Sequence, residues 1–498
     1  MLHASARRAG FAAALIATFC SLPLAAQGPD YVNLSAVEAA RLIREGKITS
    51  QALVEALLAQ IDAGSDLHAF ITVNRYGALK AAAEADRVRA TGAQLPPLHG
   101  VPVVIKDNIH VAGLPNTAGT PALRNFVPTE NAPVAQALIE AGAIVLGKNN
   151  MHELAFGITT NNAAFGSART PYDTTRFPGG SSGGTGAAIA ARMAPAGLGS
   201  DTGGSVRIPA ALNGISGLRP TVGRYSGAAI TPIAHTRDTA GPMARTIGDL
   251  VLLDQVITGD KGSVAPARLN AVRLGVAKAP FFSNLDPEVA LVMETALAKL
   301  SAAGVQIVEV QMAGVTEANN NVSFPVALYE GNVDLAAYLA KYQPHLTVRD
   351  VAAQIASPDV KGVFDTFIVG EKAIPEAVYR EAIELHRPRL QKLYTDTFAK
   401  YRIDALVFPT TPLPAMTMES VNEVQLNGKT VPTFFTFISN TDPGSNAGVP
   451  GLSLPMGMTA DGLPLGMALD GPAGSDRRLL AIGLALERVL GPVPPPNR

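Results

Sequence analysis

The chain has 498 residues, which is long for one domain but within the range of large α/β enzymes. Hydrophobic residues make up 47% and charged residues 16% of the chain, so the composition supports a substantial core. With a net charge of −1 and no run of basic residues, the sequence argues against a nucleic-acid-binding protein.

The N-terminus has the pattern of a secretory signal peptide covering residues 1–26. Arg7 and Arg8 precede a short apolar run, and small residues follow up to a cleavage site near Ala26. A helical or disordered extension is the alternative, and the arginine pair leaves the export route, Sec or Tat, open. Cys20 is the single cysteine, so the mature chain would contain no disulfide, thiolate nucleophile or Cys-based metal site. We therefore expect a periplasmic or secreted protein whose mature part, 27–498, has no membrane span.

Helices dominate the start of the mature chain. Ser35 and Glu38 form a capping-box pattern, Thr49–Ser50 would cap a second helix, and residues 76–90 predict a third. An apolar run rich in β-branched residues, VPVVIK, then predicts a strand that ends at Lys106.

Strands and helices alternate after this point. A helix at 131–141 precedes a buried strand with Lys148 at its tip, and an alanine-rich stretch predicts a buried helix at 183–194. Alternation continues from 245 to 310, residues 315–400 are mainly helical, and the chain ends in short strands and a helix at 475–490. The pattern predicts one large α/β domain: a central mixed sheet with helices on both faces and a helical insertion near 315–400.

The segment Gly179–Gly183 places serines between glycine pairs. Such a turn can cradle an anion, or it can be a flexible loop. It also matches G-x-S-x-G, the nucleophile elbow of α/β-hydrolases, for which His235, His345 or His386 would be available. A Walker-type phosphate site fits less well, because no Gly-Lys-Ser/Thr follows the glycines.

A second glycine-serine loop, Asp201–Ser205, could aim several backbone N–H groups at one point beside a hydroxyl, as an oxyanion hole requires. An ordinary glycine-rich turn explains the same residues. Lys106 ends an apolar strand, and burial there would lower its pKa and make it a general base. Alternatively it pairs with Asp107 or extends to water.

Together these segments resemble the amidase signature family of serine hydrolases. GVPVVIKDNI, starting at Gly100, is similar to the family's lysine segment, and PGGSSGGTGAA and GLGSDTGGSVRIPAALNGISGLRPT are similar to its glycine-serine signature. The spacing of Ser181 and Ser205 agrees with the family, and the likeness extends from about residue 32 to 490.

The resemblance implies a Ser–cisSer–Lys triad and a reaction that needs neither cofactor nor metal. Ser205 would be the nucleophile, Ser181 the middle serine after a cis Gly180–Ser181 peptide, and Lys106 the base. The oxyanion hole would be formed by the backbone N–H groups of Thr202, Gly203 and Gly204. Asp201 and Arg207, which flank the nucleophile, would either pair and stiffen the loop or be surface charges.

MHELAFGITTNN, the segment that starts at Arg224, and FPVALYEGN are most similar to indoleacetamide and mandelamide hydrolases, which cleave primary amides of small arylacetic acids. This likeness implies a small-molecule amide substrate, with Met151 and Phe156 as the predicted substrate-binding residues. Phe324 and Tyr329 are further candidates, and core positions would explain all four side chains as well.

The signal peptide departs from those relatives, which are usually cytoplasmic. It leaves open an exported acylamidase acting on peptide amides, anilides, nylon-type oligomers or carbamates. The signature also occurs in the glutaminase subunit of amidotransferases, against which export argues, and an inactive binding protein is disfavoured because all three triad residues are present. The oligomeric state stays open, a homodimer included.

Overall fold

The computed structural model describes Met1 and residues 30–497. Residues 2–29, which contain nearly all of the predicted signal peptide together with Cys20, lie outside the described residues, as does Arg498. The export of the protein therefore remains a prediction from sequence.

Most strands of the described chain belong to one mixed sheet. In chain order the strands are β1 (Phe70–Val73), β2 (Pro102–Lys106), β3 (Ile144–Asn149), β4 (Ala196–Asp201), β5 (Ser216–Arg219), β6 (Thr239–Ala244), β7 (Arg273–Val276), β8 (Gln306–Glu309), β9 (Ala405–Pro409), β10 (Glu423–Leu426), β11 (Lys429–Pro432), β12 (Gly451–Met458) and β13 (Pro464–Asp470). The eleven-stranded sheet has the order β1-β3-β2-β4-β6-β5-β12-β13-β9-β7-β8, and β10 and β11 form a separate hairpin. Two groups of parallel strands, β3-β2-β4 and β9-β7-β8, are separated by the antiparallel strands between β4 and β9, which confirms the mixed sheet.

Helices flank this sheet. In chain order they are α1 (Ala36–Arg44), α2 (Ser50–Ala63), α3 (Arg75–Ala90), α4 (Pro133–Glu140), α5 (Gly183–Ala190), α6 (Arg207–Leu212), α7 (Ile247–Thr258), α8 (Lys278–Phe281), α9 (Pro287–Ala302), α10 (Val315–Asn320), α11 (Ser323–Tyr342), α12 (Val348–Gln354), α13 (Pro358–Val363), α14 (Glu376–Glu381), α15 (Arg387–Tyr401), α16 (Thr433–Ile438), α17 (Asp442–Ala447) and α18 (Asp476–Leu490). Two π-helical turns, Phe364–Ile368 and Ala382–His386, extend α13 and join α14 to α15. None of the helices in the described ranges is long and apolar enough to cross a membrane.

The local signals explain where several helices begin. The Ser35 hydroxyl accepts a hydrogen bond from the Glu38 N–H at 3.1 Å, and the Glu38 carboxylate accepts one from the Ser35 N–H. This confirms the predicted capping box. The predicted helix at 183–194 is shorter than expected: α5 ends at Ala190, and Arg192 adopts φ 63° where the chain turns back into β4.

The first four strands place two loops side by side. Strand β2 lies between β3 and β4 and is parallel to both, so the carboxyl ends of β2 and β4 meet at one edge of the sheet. Every residue of β2, β4 and α5 is buried, since small side chains let α5 pack closely on the sheet. The loops that precede α5 and follow β4 are therefore fixed against each other by a rigid core.

The predicted helical region near 315–400 is confirmed as α10 to α15. Part of it forms its own apolar cluster, in which α11, α12 and the turn Phe364–Ile368 pack against Leu123 and Leu154. It does not form a separate domain, because residues from Tyr31 onward belong to one compact unit.

Candidate active site

Lys106 is the last residue of β2 and is completely buried. Its Nζ lies 2.7 Å from Ser181 Oγ and 2.8 Å from Ser200 Oγ, and Ser200 belongs to the adjacent β4. Burial lowers the pKa of Lys106 to about 7, although the carboxylates of Asp201 and Asp238 partly oppose this shift. The lysine therefore neither pairs with Asp107 nor reaches solvent, and a large fraction of it is neutral near pH 7.

Ser181 lies in the loop before α5, and the Gly180–Ser181 peptide is cis. Thr160 braces this loop, because its hydroxyl donates to the Gly179 carbonyl at 2.8 Å and accepts from the Gly183 N–H at 3.1 Å. The brace holds the Ser181 hydroxyl against the lysine amine.

Ser205 follows β4 and is 7% exposed, in a residue set that lines a cavity. The Ser182 N–H donates to the Ser205 carbonyl at 3.1 Å, and the Ser182 hydroxyl donates to the Ser200 carbonyl at 3.2 Å. These bonds tie the two serine loops together. Within the described chain, the Ser205 hydroxyl makes no direct hydrogen bond to Ser181. Lys106 therefore contacts Ser181 directly, whereas Ser205 is connected to Ser181 only through the backbone hydrogen bond of Ser182.

The peptide planes of the loop after β4 are held from behind. The carbonyls of Asp201, Thr202, Gly203 and Gly204 accept hydrogen bonds from Arg219, Arg237, Thr441 and the Ile208 N–H, respectively. In a trans peptide the N–H points opposite to the carbonyl oxygen. The N–H groups of Thr202, Gly203, Gly204 and Ser205 therefore point away from the donors that hold these four carbonyls. Among the described residues, the backbone N–H groups of Gly203, Gly204 and Ser205 donate to no acceptor. The loop thus presents fixed donors of the kind that stabilise a developing oxyanion.

Gly204 is required by this geometry. Its φ is +148°, and a Cβ there would lie 2.2 Å from Thr441 Oγ1. Any side chain would therefore push the loop away from Thr441, the residue that holds the Gly203 carbonyl.

Asp201 and Arg207 form a buried ion pair, which decides between the two sequence interpretations. Arg207 contacts both carboxylate oxygens of Asp201 at 3.1 Å, and Arg219 contacts one at 2.9 Å. Burial alone would raise the pKa of Asp201, but the two guanidinium groups outweigh it and hold that pKa well below its usual range. The pair anchors the start of the loop that carries Ser205.

An apolar cavity of about 320 Å³ opens beside Ser205. It is bounded by Thr202 and Gly203 on one side and by α11 and the segment around α16 on another. Five aromatic rings line it: Phe156, Phe324, Phe367, Phe434 and Phe435. The volume lies at the lower end of small-molecule pockets.

The charged groups that line this cavity are already paired within the protein. Arg237 donates to the Thr202 and Ser323 carbonyls and to the Asp442 carboxylate. Asp359 is 2.9 Å from the His152 ring. Each charged side chain at the cavity therefore already has a hydrogen-bond partner within the protein, which favours an uncharged apolar group in the cavity.

The predicted pocket residues divide into two pairs. Phe156 and Phe324 line the cavity as expected. Met151 does not: it is fully buried behind the cavity wall and packs with Ala155 and Ile233. Tyr329 also lies off the cavity: its ring stacks on that of Tyr379 in α14, with the ring centroids 4.2 Å apart.

A second cavity of about 320 Å³ lies on the other side of a wall made by Ala155, Thr202 and Ile233. Polar side chains line it, among them Ser200 and Asp238. Because Ser200 Oγ also contacts Lys106 Nζ, this cavity is one hydroxyl away from the lysine amine. It gives water and small polar molecules a place beside the lysine.

Within the described chain, none of the candidate histidines of a nucleophile elbow makes a hydrogen bond to Ser181 or Ser205, although His235 lines the second cavity. His235 donates to Asp334 at 2.9 Å, and His386 pairs with Glu381 at 3.4 Å. Within the described chain, His235, Glu330 and Asp334 form the one group with metal-ligand spacing. Hydrogen bonds among these groups and from Thr236 and Tyr379 account for the cluster, so no metal site needs to be invoked.

Several site residues were not found from the sequence. Ser200 contacts the lysine, while Arg237 and Thr441 hold loop carbonyls; Asp238 accepts from the Thr202 hydroxyl at 2.6 Å. Ser200 stands in the recognised signature next to Asp201, which was the available signal. Arg237 and Asp238 stand in the segment after Arg224 that resembles the aryl amide hydrolases, although nothing in it marks them as supports of the loop, and Thr441 becomes visible only when the chain folds.

The chain matches the Amidase family model over residues 52–480. It is 43% identical to the mandelamide hydrolase of Pseudomonas putida over 489 residues, covering 95% of each chain. It is 44% identical to an indoleacetamide hydrolase of Agrobacterium vitis, covering 88% of this chain and 93% of the relative. A crystal structure of an amidase superposes with a TM-score of 0.82 at 32% identity, covering 92% of this chain and 100% of that one. The chain with the buried lysine and the two serine loops therefore belongs to the amidase family and is an amide hydrolase.

Proposed function

We propose that this amidase hydrolyses primary amides of small aryl-substituted acetic acids through an acyl-enzyme on Ser205. The observation that carries the proposal is the 2.7 Å contact between a buried amine, Lys106 Nζ, and the Ser181 hydroxyl, next to an apolar cavity. The names of the mandelamide and indoleacetamide relatives support the aryl amide class.

The hydrogen bonds around Lys106 suit a neutral amine. Two N–H groups can donate to the hydroxyl and carbonyl oxygens of Ser200, at 2.8 and 3.5 Å, which leaves the lone pair to accept from the Ser181 hydroxyl. Lys106 then removes the proton of Ser181, and Ser181 removes that of Ser205. Rotation of the small Ser205 hydroxyl toward Ser181 completes this relay when substrate binds.

In the first half-reaction, Ser205 Oγ attacks the amide carbon. The carbonyl oxygen becomes an oxyanion that accepts hydrogen bonds from the N–H groups of Thr202, Gly203, Gly204 and Ser205. Ser181 gives a proton to the amide nitrogen, the C–N bond breaks, and ammonia leaves, because an unprotonated amide anion is too basic to depart.

In the second half-reaction, water replaces ammonia. The same relay from Ser181 to Lys106 takes a proton from the water, whose oxygen attacks the acyl carbon. The bond to Ser205 Oγ breaks, the serine regains a proton, and the carboxylic acid is released. At the end of each turnover Lys106 is neutral again and every transferred proton is accounted for.

The acyl group would occupy the phenylalanine-lined cavity. Its charged walls are paired within the protein, so a charged acyl group would have to displace an existing ion pair such as Arg237–Asp442. An aryl ring instead gains edge and face contacts with the surrounding rings.

The test is ammonia release from a panel: indole-3-acetamide, phenylacetamide, mandelamide, a peptide amide, an anilide and a carbamate. We expect the three arylacetic amides to be the best substrates for the wild type. Ser205→Ala should release no ammonia, and Ser226→Ala, which changes an exposed serine, should behave as wild type. Turnover confined to peptide amides, anilides or carbamates would contradict the substrate assignment, and an active Ser205→Ala would contradict the nucleophile.

We also propose that the enzyme acts outside the cytoplasm after removal of residues 1–26. The support is the sequence pattern alone. N-terminal sequencing of the protein from a periplasmic fraction should begin near Gln27, and a full-length chain confined to the cytoplasm would contradict export.

A further inference from the structure

Gly331 is an interior glycine of the long helix α11, Ser323–Tyr342. Glycine in the middle of a helix is less favourable than alanine, because it loses more backbone entropy and exposes the helix. This position is buried and its backbone is helical, so neither a turn nor a positive φ explains the residue. The explanation therefore lies in what packs against it.

The ring of Phe156 packs against Gly331. A Cβ placed on Gly331 would lie 3.0 Å from Phe156 Cζ and 3.3 Å from Ile368 Cδ1. Both distances are shorter than ordinary side-chain contacts, so the ring tip of Phe156 rests almost on the helix backbone. Phe156 also packs edge-to-face on Phe364, with ring centroids 5.0 Å apart.

The same ring forms part of the cavity wall beside Ser205. Phe364 and Ile368 are buried and do not line the cavity, so they occupy the protein side of the ring. If a methyl group appeared at position 331, the ring would have one direction in which to yield, which is into the cavity.

The helix face that carries Gly331 also lines the cavity. Phe324, Ala327 and Leu328 line it, and residues three and four apart along a helix share a face. Phe324 is 37% exposed, whereas Gly331, two turns further along this face, is buried and is covered by the Phe156 ring. The helix thus contributes side chains to the cavity wall up to Leu328, and at Gly331 the Phe156 ring forms the wall instead.

We propose that Gly331 sets the space available in the acyl cavity by allowing Phe156 to lie against α11, and that this pair determines how bulky an acyl group the enzyme accepts. The inference rests on the proposed function, since it assigns the same cavity to the acyl group. It concerns substrate selection and gives neither residue a part in proton transfer.

The experiment compares kcat/KM of wild type, Gly331→Ala, Phe156→Leu and the double variant on propionamide, phenylacetamide and indole-3-acetamide. Active sites are counted by fluorophosphonate labelling. Gly248→Ala is the matched control, because Gly248 also lies in a helix, α7, but its Cβ would meet only Thr246 Oγ1 at an ordinary 3.7 Å.

We expect Gly331→Ala to lower kcat/KM for indole-3-acetamide by about ten-fold or more relative to propionamide, the range that one methyl group produces in a hydrophobic pocket. Phenylacetamide should be affected less. Adding Phe156→Leu should restore the bicyclic substrate, since the shorter side chain leaves room for the new methyl group. Gly248→Ala should keep the wild-type ratios.

Two failures are distinguishable. If the wild type cleaves the aryl amides but Gly331→Ala lowers all three substrates equally, or lowers none, the role of Gly331 is refuted and the proposed function stands. If the wild type cleaves no aryl amide, the proposed function and this inference fall together. Should Gly331→Ala not fold, Phe156→Leu alone decides: it must raise kcat/KM for 1-naphthaleneacetamide relative to phenylacetamide, and an unchanged ratio overturns the proposal.

Discussion

Replacing Lys106 with methionine should change the pH dependence of stability as well as abolish activity. Methionine has a similar length and is readily buried, so the substitution removes the ionisable group with little change in packing. It also leaves the hydroxyls of Ser181 and Ser200 without their amine partner. The loss of these hydrogen bonds changes the free energy of unfolding by the same amount at every pH in the neutral range, whereas the contribution of the ionisable amine changes with pH.

The sign follows from the protons bound by each state. The ordinary pKa of a lysine is 10.5, and burial lowers that of Lys106 to about 7 in the folded chain, so between pH 7 and pH 10.5 the unfolded chain binds a proton that the folded chain does not. The free energy of unfolding of the wild type therefore rises with pH from about 7 to about 10.5 through this group. Below pH 7 both states are protonated, and above pH 10.5 both are neutral, so the contribution is flat outside the window.

The size follows from about 1.36 kcal/mol for each pKa unit. With these two pKa values, burying the lysine costs about 4 kcal/mol at pH 7 and about 2 kcal/mol at pH 9 by the linkage relation. Lys106→Met removes this cost, so its free energy of unfolding minus that of the wild type should fall by about 2 kcal/mol between pH 7 and pH 9.

The assay is urea denaturation followed by far-ultraviolet circular dichroism, since the chain contains no tryptophan. Ser205→Ala is the control, because it is also inactive but keeps the lysine, and its difference from the wild type should not vary with pH. A constant difference between Lys106→Met and the wild type from pH 7 to pH 9 would refute a buried lysine with a lowered pKa.

Three further predictions concern the same site. The kcat/KM of the wild type should rise about ten-fold per pH unit up to the pKa of Lys106, about 7, and then level off. Asp238→Asn should move the midpoint of this pH profile to lower pH, because the Asp238 carboxylate raises the lysine pKa. An unmoved midpoint would argue against the lysine as base. Asp201→Asn should lower the free energy of unfolding by about 3–5 kcal/mol, because it leaves the buried Arg219 without its carboxylate and leaves Arg207 with only the more distant Asp470, at 3.7 Å. A loss under about 1 kcal/mol in urea titrations would show that the ion pair does not anchor the loop. Ser181→Ala and Ser205→Ala should each reduce kcat by several orders of magnitude. The double variant should lose no more activity than the less active single variant, because the two serines act as a unit. Additive losses would mean that the two serines have independent roles.

The fold was predictable where the chain carries strong local signals. The capping box at Ser35, the apolar strand that ends at Lys106 and the late strands β9, β12 and β13 all appear as expected. Strands β4 (AGLGSD) and β6 (TAGPMA) were not predicted, because glycine and proline weaken their β-propensity. Their pairing is decided by neighbours in the sheet, which a local pattern does not contain.

The sequence singled out the three candidate triad residues, but it did not indicate most of the residues that support them. Lys106, Ser181 and Ser205 stand in short signature segments, and the structure places all three at one edge of the sheet. Thr441, which holds a carbonyl of the glycine loop, is remote in sequence, and its neighbourhood has no motif that marks it. Met151 was misplaced because an apolar side chain next to a catalytic segment can face either the cavity or the core.

The most direct test of the central claim is to trap the acyl-enzyme as a function of pH. Wild type is mixed with the ester p-nitrophenyl phenylacetate, quenched in acid during the burst, digested and analysed by mass spectrometry. We predict a phenylacetyl group on Ser205, with an acylation rate that increases with the neutral fraction of Lys106 through an apparent pKa near 7. An acyl group on another residue, or a burst on Ser205 whose rate is independent of pH across this range and unchanged in Lys106→Met, would contradict the account.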